Sequence, residues 1–215
     1  MIWFWYFWCY SFLGFLIEVA FARLTGQPKR DRKCRLVLPL CPVYGLGALA
    51  VWLLPPAVRQ SPLLLFPAAA LVCSAVEYGT DLVYEKLFRV RFWNYARFPL
   101  NLNGRVCLTF SLAWGLLALP LYYGVFPLVV RLGTLLPPWV PALLLLATAA
   151  DTLVTLWLLR RTGDTGSLRW YLRLGQLSPW RNQPAPQQPG QLAAEGPHQR
   201  PRQHIAGDVD PHPEP

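Results

Sequence analysis

Three carboxylates stand four residues apart near the middle of the chain: Glu77, Asp81 and Glu85, in "AVEYGTDLVYEKLF", residues 75–88. On a helix that spacing puts all three on one stripe. They follow "PLLLFPAAALVCS", residues 62–74, which carries no charge. Such a stripe can pass a proton, hold a cation or lock onto arginines, and depth decides among these. At a helical rise of about 1.5 Å per residue, Glu77 lies about 22 Å and Asp81 about 28 Å beyond Pro62. A hydrocarbon core is about 30 Å thick. If residue 62 enters such a core, Glu77 is expected in its inner third, Asp81 at its boundary and Glu85 in water. A carboxylate at the depth of Glu77 is costly unless it is paired, hydrated or protonated.

The elements that must carry these groups are set by composition. The chain has 215 residues, 54% hydrophobic and only 14% charged. A soluble domain carries about 25% charge. Five apolar stretches, 2–22, 36–58, 62–82, 106–130 and 139–159, hold few charges, and nearly all the basic residues of the first 161 positions lie between them. The expected fold is all-α, a polytopic membrane helix bundle of about five transmembrane helices. Pro39, Pro42, Pro55 and Pro56 make the second stretch irregular, and Pro120 and Pro127 fall in the fourth.

Lys and Arg then orient the bundle. The first connection holds Arg23, Lys29, Arg30, Arg32, Lys33 and Arg35, and the second only Arg59. The third holds Lys86, Arg89, Arg91, Arg97 and Arg105, and the fourth only Arg131. Arg160, Arg161, Arg169, Arg173 and Arg181 follow the last stretch. The alternation fits an N-terminus outside and a C-terminus in the cytoplasm of a multi-pass cell-membrane protein. Ala20-Phe21-Ala22 loosely matches a signal-peptidase site, but charge follows the apolar run instead of preceding it, so an uncleaved helix is expected. The net charge of +9 is parcelled into particular loops, which argues against nucleic acid as a partner. The bilayer itself is the first partner expected.

Three segments result: a transmembrane bundle over 1–161, an interfacial amphipathic segment over 162–181 containing "SLRWYLRLG", and a disordered Pro/Gln-rich tail over 182–215. By the same helical rise, Glu18 lies about 24 Å along the first stretch and Asp151 about 18 Å along the fifth. Tyr44, Asn101, Asn103 and Arg105 stand near the inner ends of the second and fourth. Together with Glu77 and Asp81 they are expected to form a polar cluster or vestibule open to the cytoplasm. Arg105 is the nearest candidate cation for Glu77 or Asp81, in a bidentate pair. Residues 91–107, "RFWNYARFPLNLNGRVC", read as an interfacial loop with aromatic anchors or as a re-entrant gate. Asn101, Asn103 and Gly104 favour turns or a helix start before Val106.

No catalytic constellation emerges: all three histidines, His198, His204 and His212, lie in the tail. The five cysteines form no C-x-x-C pair, and neither metal nor cofactor is expected. A lipid-acting intramembrane enzyme is the less expected alternative, with Cys41 or Ser111 as conceivable nucleophiles.

The motifs "YSFLGFLIE", "PLCPVYGLGAL", "EYGTDLVYEKLF" and "FWNYARFPLNLNGRVCLTFSLAWG" resemble the CmpB family of type IV ABC-transporter membrane proteins. The resemblance spans residues 10–159. It falls on Glu18, Pro39, Cys41, Pro42, Tyr44, Gly45, Gly47, Glu77, Glu85, Trp93, Tyr95, Asn101, Asn103, Gly104, Arg105, Ser111, Trp114 and Gly115. Phe92 and Asn94 depart from the family's Trp-Trp-Asp-Tyr run. The resemblance implies a transporter membrane subunit. The sequence has no G-x-x-x-x-G-K-[ST] loop, so ATP hydrolysis would belong to a separate ATPase subunit. The rival expectation is a non-catalytic membrane scaffold or adaptor, and a homo-oligomer is compatible with either.

Overall fold

Inside hydrocarbon each backbone N–H and C=O must find its partner within the protein, and a helix meets that demand segment by segment. In the computed structural model, which describes residues 1–25 and 34–168, the long apolar runs are accordingly helical. They form α1 (Ile2–Leu24), α4 (Pro62–Phe88), α5 (Leu108–Pro120) with α6 (Phe126–Leu135), and α7 (Trp139–Thr162). Two short helices, α2 (Pro42–Trp52) and α3 (Pro56–Arg59), lie between α1 and α4. A two-stranded antiparallel hairpin, β1 (Asn101–Leu102) with β2 (Val106–Cys107), precedes α5.

The all-α bundle expected from composition is the fold observed, with four helices long and apolar enough to cross a membrane among the described residues. The second expected span differs. Residues 36–58 give an extended loop, the 11-residue α2 and the single turn of α3. At the helical rise α2 reaches about 16 Å, half a hydrocarbon core. The prolines are the reason. Pro42 sits in the first helical turn, where its missing N–H costs nothing, while Pro55 and Pro56 end the helix behind Leu53. The third span runs on to Phe88, so Glu85 is still on the helix. The fourth starts at Leu108, because Val106 and Cys107 are strand.

Close backbone approach holds the bundle together. A Cβ on Gly45 of α2 would stand 2.5 Å from the Phe7 carbonyl of α1, and one on Gly115 of α5 would stand 2.6 Å from the Phe66 carbonyl of α4. Small residues at helix contacts replace the missing hydrophobic drive in lipid with van der Waals packing. Between α2, α4 and α5 the buried core is Val51, Leu65, Ala69, Cys73 and Ala118. The segment Leu121–Val125 opens into a π-helical turn directly after Pro120, which has no N–H to donate. Tyr10 Oη of α1 donates to the Leu121 carbonyl at 2.9 Å and ties that turn to the bundle.

The described residues all fall within one compact unit, Met1–Leu177. The expected amphipathic segment is described only to residue 168, where a 3-10 turn, Thr165–Leu168, follows α7. The rest of it, the Pro/Gln-rich tail, and Lys29, Arg30, Arg32 and Lys33 of the first basic connection lie outside the described residues.

Candidate functional site

The acid stripe of α4 divides between two environments. Glu77 is 4% exposed. Its Oε1 accepts from Tyr95 Oη and its Oε2 from Trp114 Nε1, each at 2.9 Å. Asp81, one turn on, is 1% exposed. It meets Arg91, whose NH2 lies 3.1 Å from Oδ2 and whose Nε donates to the same atom at 3.2 Å. Arg105 spans the stripe, donating through NH1 to Asp81 and through NH2 to Glu85. Its hydrogen bond to Glu85, above all, holds the Arg105 guanidinium above its ordinary range, so it is a cation at every accessible pH.

Residues 91–107 supply most of these partners by folding back on α4. Helix α4 ends on Arg89, whose left-handed conformation (φ +58°) reverses the chain. The hairpin turn has positive φ at Asn103 (+54°) and Gly104 (+66°), and Arg105 N–H donates to the Leu102 carbonyl at 3.0 Å. Asn and Gly tolerate that backbone better than other residues. Asn101 braces the turn: Nδ2 donates to the Phe98 carbonyl at 2.8 Å and Oδ1 accepts from Gly104 N–H at 3.0 Å. Asn103 Nδ2 donates to Tyr78 Oη on α4 at 3.0 Å. Trp93 Nε1 donates to the Arg105 carbonyl at 3.0 Å, and Tyr95 N–H to that of Gly104 at 2.8 Å. The turn was expected from sequence; the hairpin was not.

Behind the hairpin is a cavity of about 390 Å³. Its walls come from α1, the loop 34–41, α2, α4, residues 92–95 and α5, and are mostly aromatic and aliphatic. Glu18, Tyr44, Glu77 and Tyr95 give it a polar part. Tyr44 Oη donates to Glu18 Oε1 at 2.9 Å, and the Tyr44 ring packs 4.7 Å from that of Trp114. Cys34 and Cys41 also line the cavity, with their sulfurs 3.6 Å apart. The size falls within the range of pockets for small organic molecules, and so does the mixture of apolar wall with a few polar groups.

The expected single cluster is therefore resolved into parts. Glu18, Tyr44 and Glu77 share the cavity. Asp81 and Arg105 form an ion-pair lock with Glu85 beside it and do not line it. Asn101 and Asn103 shape the hairpin. Asp151 belongs elsewhere: its carboxylate accepts the backbone N–H groups of Val37 at 2.9 Å and Leu38 at 3.2 Å. With Thr155 Oγ1, which accepts Leu36 N–H at 3.0 Å, it fastens the loop 34–41 to α7. Glu85, expected in water, is 41% exposed at its side chain and yet holds Arg105. Arg91 was overlooked as a partner because the left-handed cap at Arg89, not helical spacing, brings it back to Asp81. Ser111, named only for the enzyme alternative, accepts from Ser74 Oγ at 2.6 Å. Among the described residues no group of three or more His, Cys, Asp or Glu could hold a metal.

A family model described as "Putative ABC-transporter type IV" (CmpB) matches residues 5–156. The chain belongs to that family. It is a membrane protein related to ABC transporters. No curated protein and no solved structure matches it. The CmpB match covers every side chain of the cavity and of the ion-pair lock. The departure at Asn94 lies outside the cavity, where Asn94 Oδ1 accepts Ala96 N–H at 2.9 Å in an exposed turn. An Asp could accept the same bond. Phe92 does line the cavity, as an apolar wall.

Proposed function

We propose that this chain is the membrane subunit of an ABC-type transporter of the cell membrane, and that the cavity around Glu18, Tyr44 and Glu77 handles its cargo. The observation that carries this reading is a buried carboxylate, Glu77, set in the wall of a cavity of about 390 Å³ within a membrane bundle. Such a group is expensive to keep in a membrane and is usually retained for function. In this reading the N-terminus is outside and the cavity faces the cytoplasm, which the uneven distribution of Lys and Arg, concentrated in the basic connections, supports. The same connections are where a separate ATPase subunit would dock, since the chain has no nucleotide-binding loop of its own. Homo-oligomerisation would supply a second bundle if one cavity is half of a translocation path.

The test is purification from the native host in a mild detergent, followed by mass spectrometry of what remains bound. A stoichiometric ATPase is expected. Recovery of the chain with no ATPase, alone or with copies of itself, overturns the reading. A membrane scaffold or adaptor is the second reading, favoured by the Asp81–Arg91–Arg105–Glu85 network, which is fully explained as structure.

A further inference from the structure

We infer that Tyr44 and Trp114 form a gate across a path through the bundle, closing the cavity around Glu77 off from a second cavity stacked on it. As a route for cargo this rests on the transporter reading; as a partition between two cavities it does not.

The second cavity, of about 40 Å³, is walled by α1, α2, α4, α5, the π-helical turn and the start of α6, and much of that wall is aromatic. At this volume it has room for a water-sized group only. Four helices place the two cavities in series. On α1, Tyr6 and Tyr10 line the second cavity, and Ile17, Glu18 and Phe21 the first. Helix α2 runs antiparallel to α1, since Gly45 meets Phe7 and Trp52 meets Trp3. Its order is reversed accordingly: Val43 lines the first cavity, and Ala48 and Trp52 the second. On α4, Cys73 lines the second and Glu77 the first; on α5, Phe110 lines the first and Ala118 the second. From Tyr6 to Phe21 the two cavities cover about 22 Å of α1 at the helical rise. That is most of a hydrocarbon core of about 30 Å.

Tyr44, Trp114 and Leu117 line both cavities, so they are the partition. The rings of Tyr44 and Trp114 lie 4.7 Å apart. Gly14, between Tyr10 and Ile17 on α1, leaves the space that the Tyr44 ring fills, because a Cβ there would collide with it. The paired rings therefore close the gap from α1 to α5. Each is latched at its polar edge to a carboxylate of the first cavity, Tyr44 Oη to Glu18 and Trp114 Nε1 to Glu77, both at 2.9 Å. The break in the α5–α6 helix falls at the same level. Pro120 lines the first cavity, and Leu121 and Tyr122 of the π-helical turn line the second. Prolines and π-turns are where helices bend. The closed rings thus sit beside a hinge, and cargo in the first cavity meets their latches directly.

Cys73, 4% exposed, reports on the second cavity. The full chain, reconstituted in phosphatidylcholine vesicles, would be treated with N-ethylmaleimide, a reagent too large for the second cavity as it stands. Modification of Cys73 is then followed by peptide mass spectrometry. Wild-type Cys73 is expected to react slowly, and Tyr44→Ala or Trp114→Ala to raise its rate about tenfold. Trp52→Ala, which widens the second cavity and does not touch the first, should leave the rate near that of the wild type. Tyr44→Phe keeps the ring and loses the hydroxyl latched to Glu18. It should raise the rate about threefold, and it carries the test should neither alanine variant fold. Equal acceleration by Trp52→Ala means that Cys73 is reached from elsewhere and overturns the gate. A rate indifferent to Tyr44→Ala and Trp114→Ala also overturns it, and an unchanged rate in Tyr44→Phe overturns the latch. An ATPase partner with Cys73 indifferent to these variants removes the gate and leaves the transporter. Selective acceleration without an ATPase does the reverse.

Discussion

Glu77 and Asp81 sit one turn apart on α4, equally buried, yet their surroundings have little in common. Asp81 is gripped by two guanidiniums and does not line the cavity. Glu77 is held by a phenol and an indole and forms part of the cavity wall. A carboxylate between two arginines is a lock, because removing it leaves two part-buried cations facing each other. A carboxylate in the wall of a cavity lies within reach of whatever occupies that cavity. One helical stripe thus combines a fastening with a group in the cavity wall, and residues 91–107 supply Arg91 and Arg105 to the first and Tyr95 to the second.

Substitutions can break this contrast in order of expected effect. Asp81→Asn should cost about 2–3 kcal/mol, since it strips the charge that Arg91 and Arg105 share while Arg105 keeps Glu85. Thermal melting in detergent would show it. Arg105→Glu should abolish folded yield, with partial recovery in Arg105→Glu/Asp81→Arg and none when Glu77 is reversed instead. Gly115→Ala forces a methyl group toward the Phe66 carbonyl and should cost about 1–3 kcal/mol by the same melting assay. Asp151→Asn keeps one of two backbone acceptors, costing about 1–2 kcal/mol. Hydrogen exchange should quicken at Val37 and Leu38, while the cavity is unaffected. Asn94→Asp, which restores the family residue, should change stability by less than about 0.5 kcal/mol, because the exposed turn accepts either side chain.

Much of this contrast was legible in sequence, and the limits have physical causes. Apolar run length predicted the long helices because the bilayer imposes it. Asn103-Gly104 signalled a turn through its backbone tolerance. Arg105, unlike Arg91 in the same connection, was found as a cation for the stripe. Whether it would choose Glu77 or Asp81 was open in sequence, and the hairpin register decides it. Trp114 reaches Glu77 from α5, 37 residues away, through the close α4–α5 packing permitted by Gly115. No periodicity encodes that pairing. Asp151 pointed equally well to the polar cluster, since its true partners are backbone N–H groups and leave no mark in residue type. The short α2 was foreshadowed by four prolines, which signal irregularity without stating length.

In the proposed transporter, Glu77 handles cargo while Asp81 fastens the fold. This division is tested most directly by comparing Glu77→Gln with Asp81→Asn in the complex with the proposed ATPase, reading melting temperature and ATPase turnover per folded molecule. Glu77→Gln is expected to keep a near-native melting temperature and an intact complex while turnover falls about tenfold. Asp81→Asn should lose stability first, and its folded fraction should turn over normally. If Glu77→Gln instead melts as Asp81→Asn does, with turnover per folded molecule unchanged, both carboxylates are structural and the cavity is not where cargo is handled.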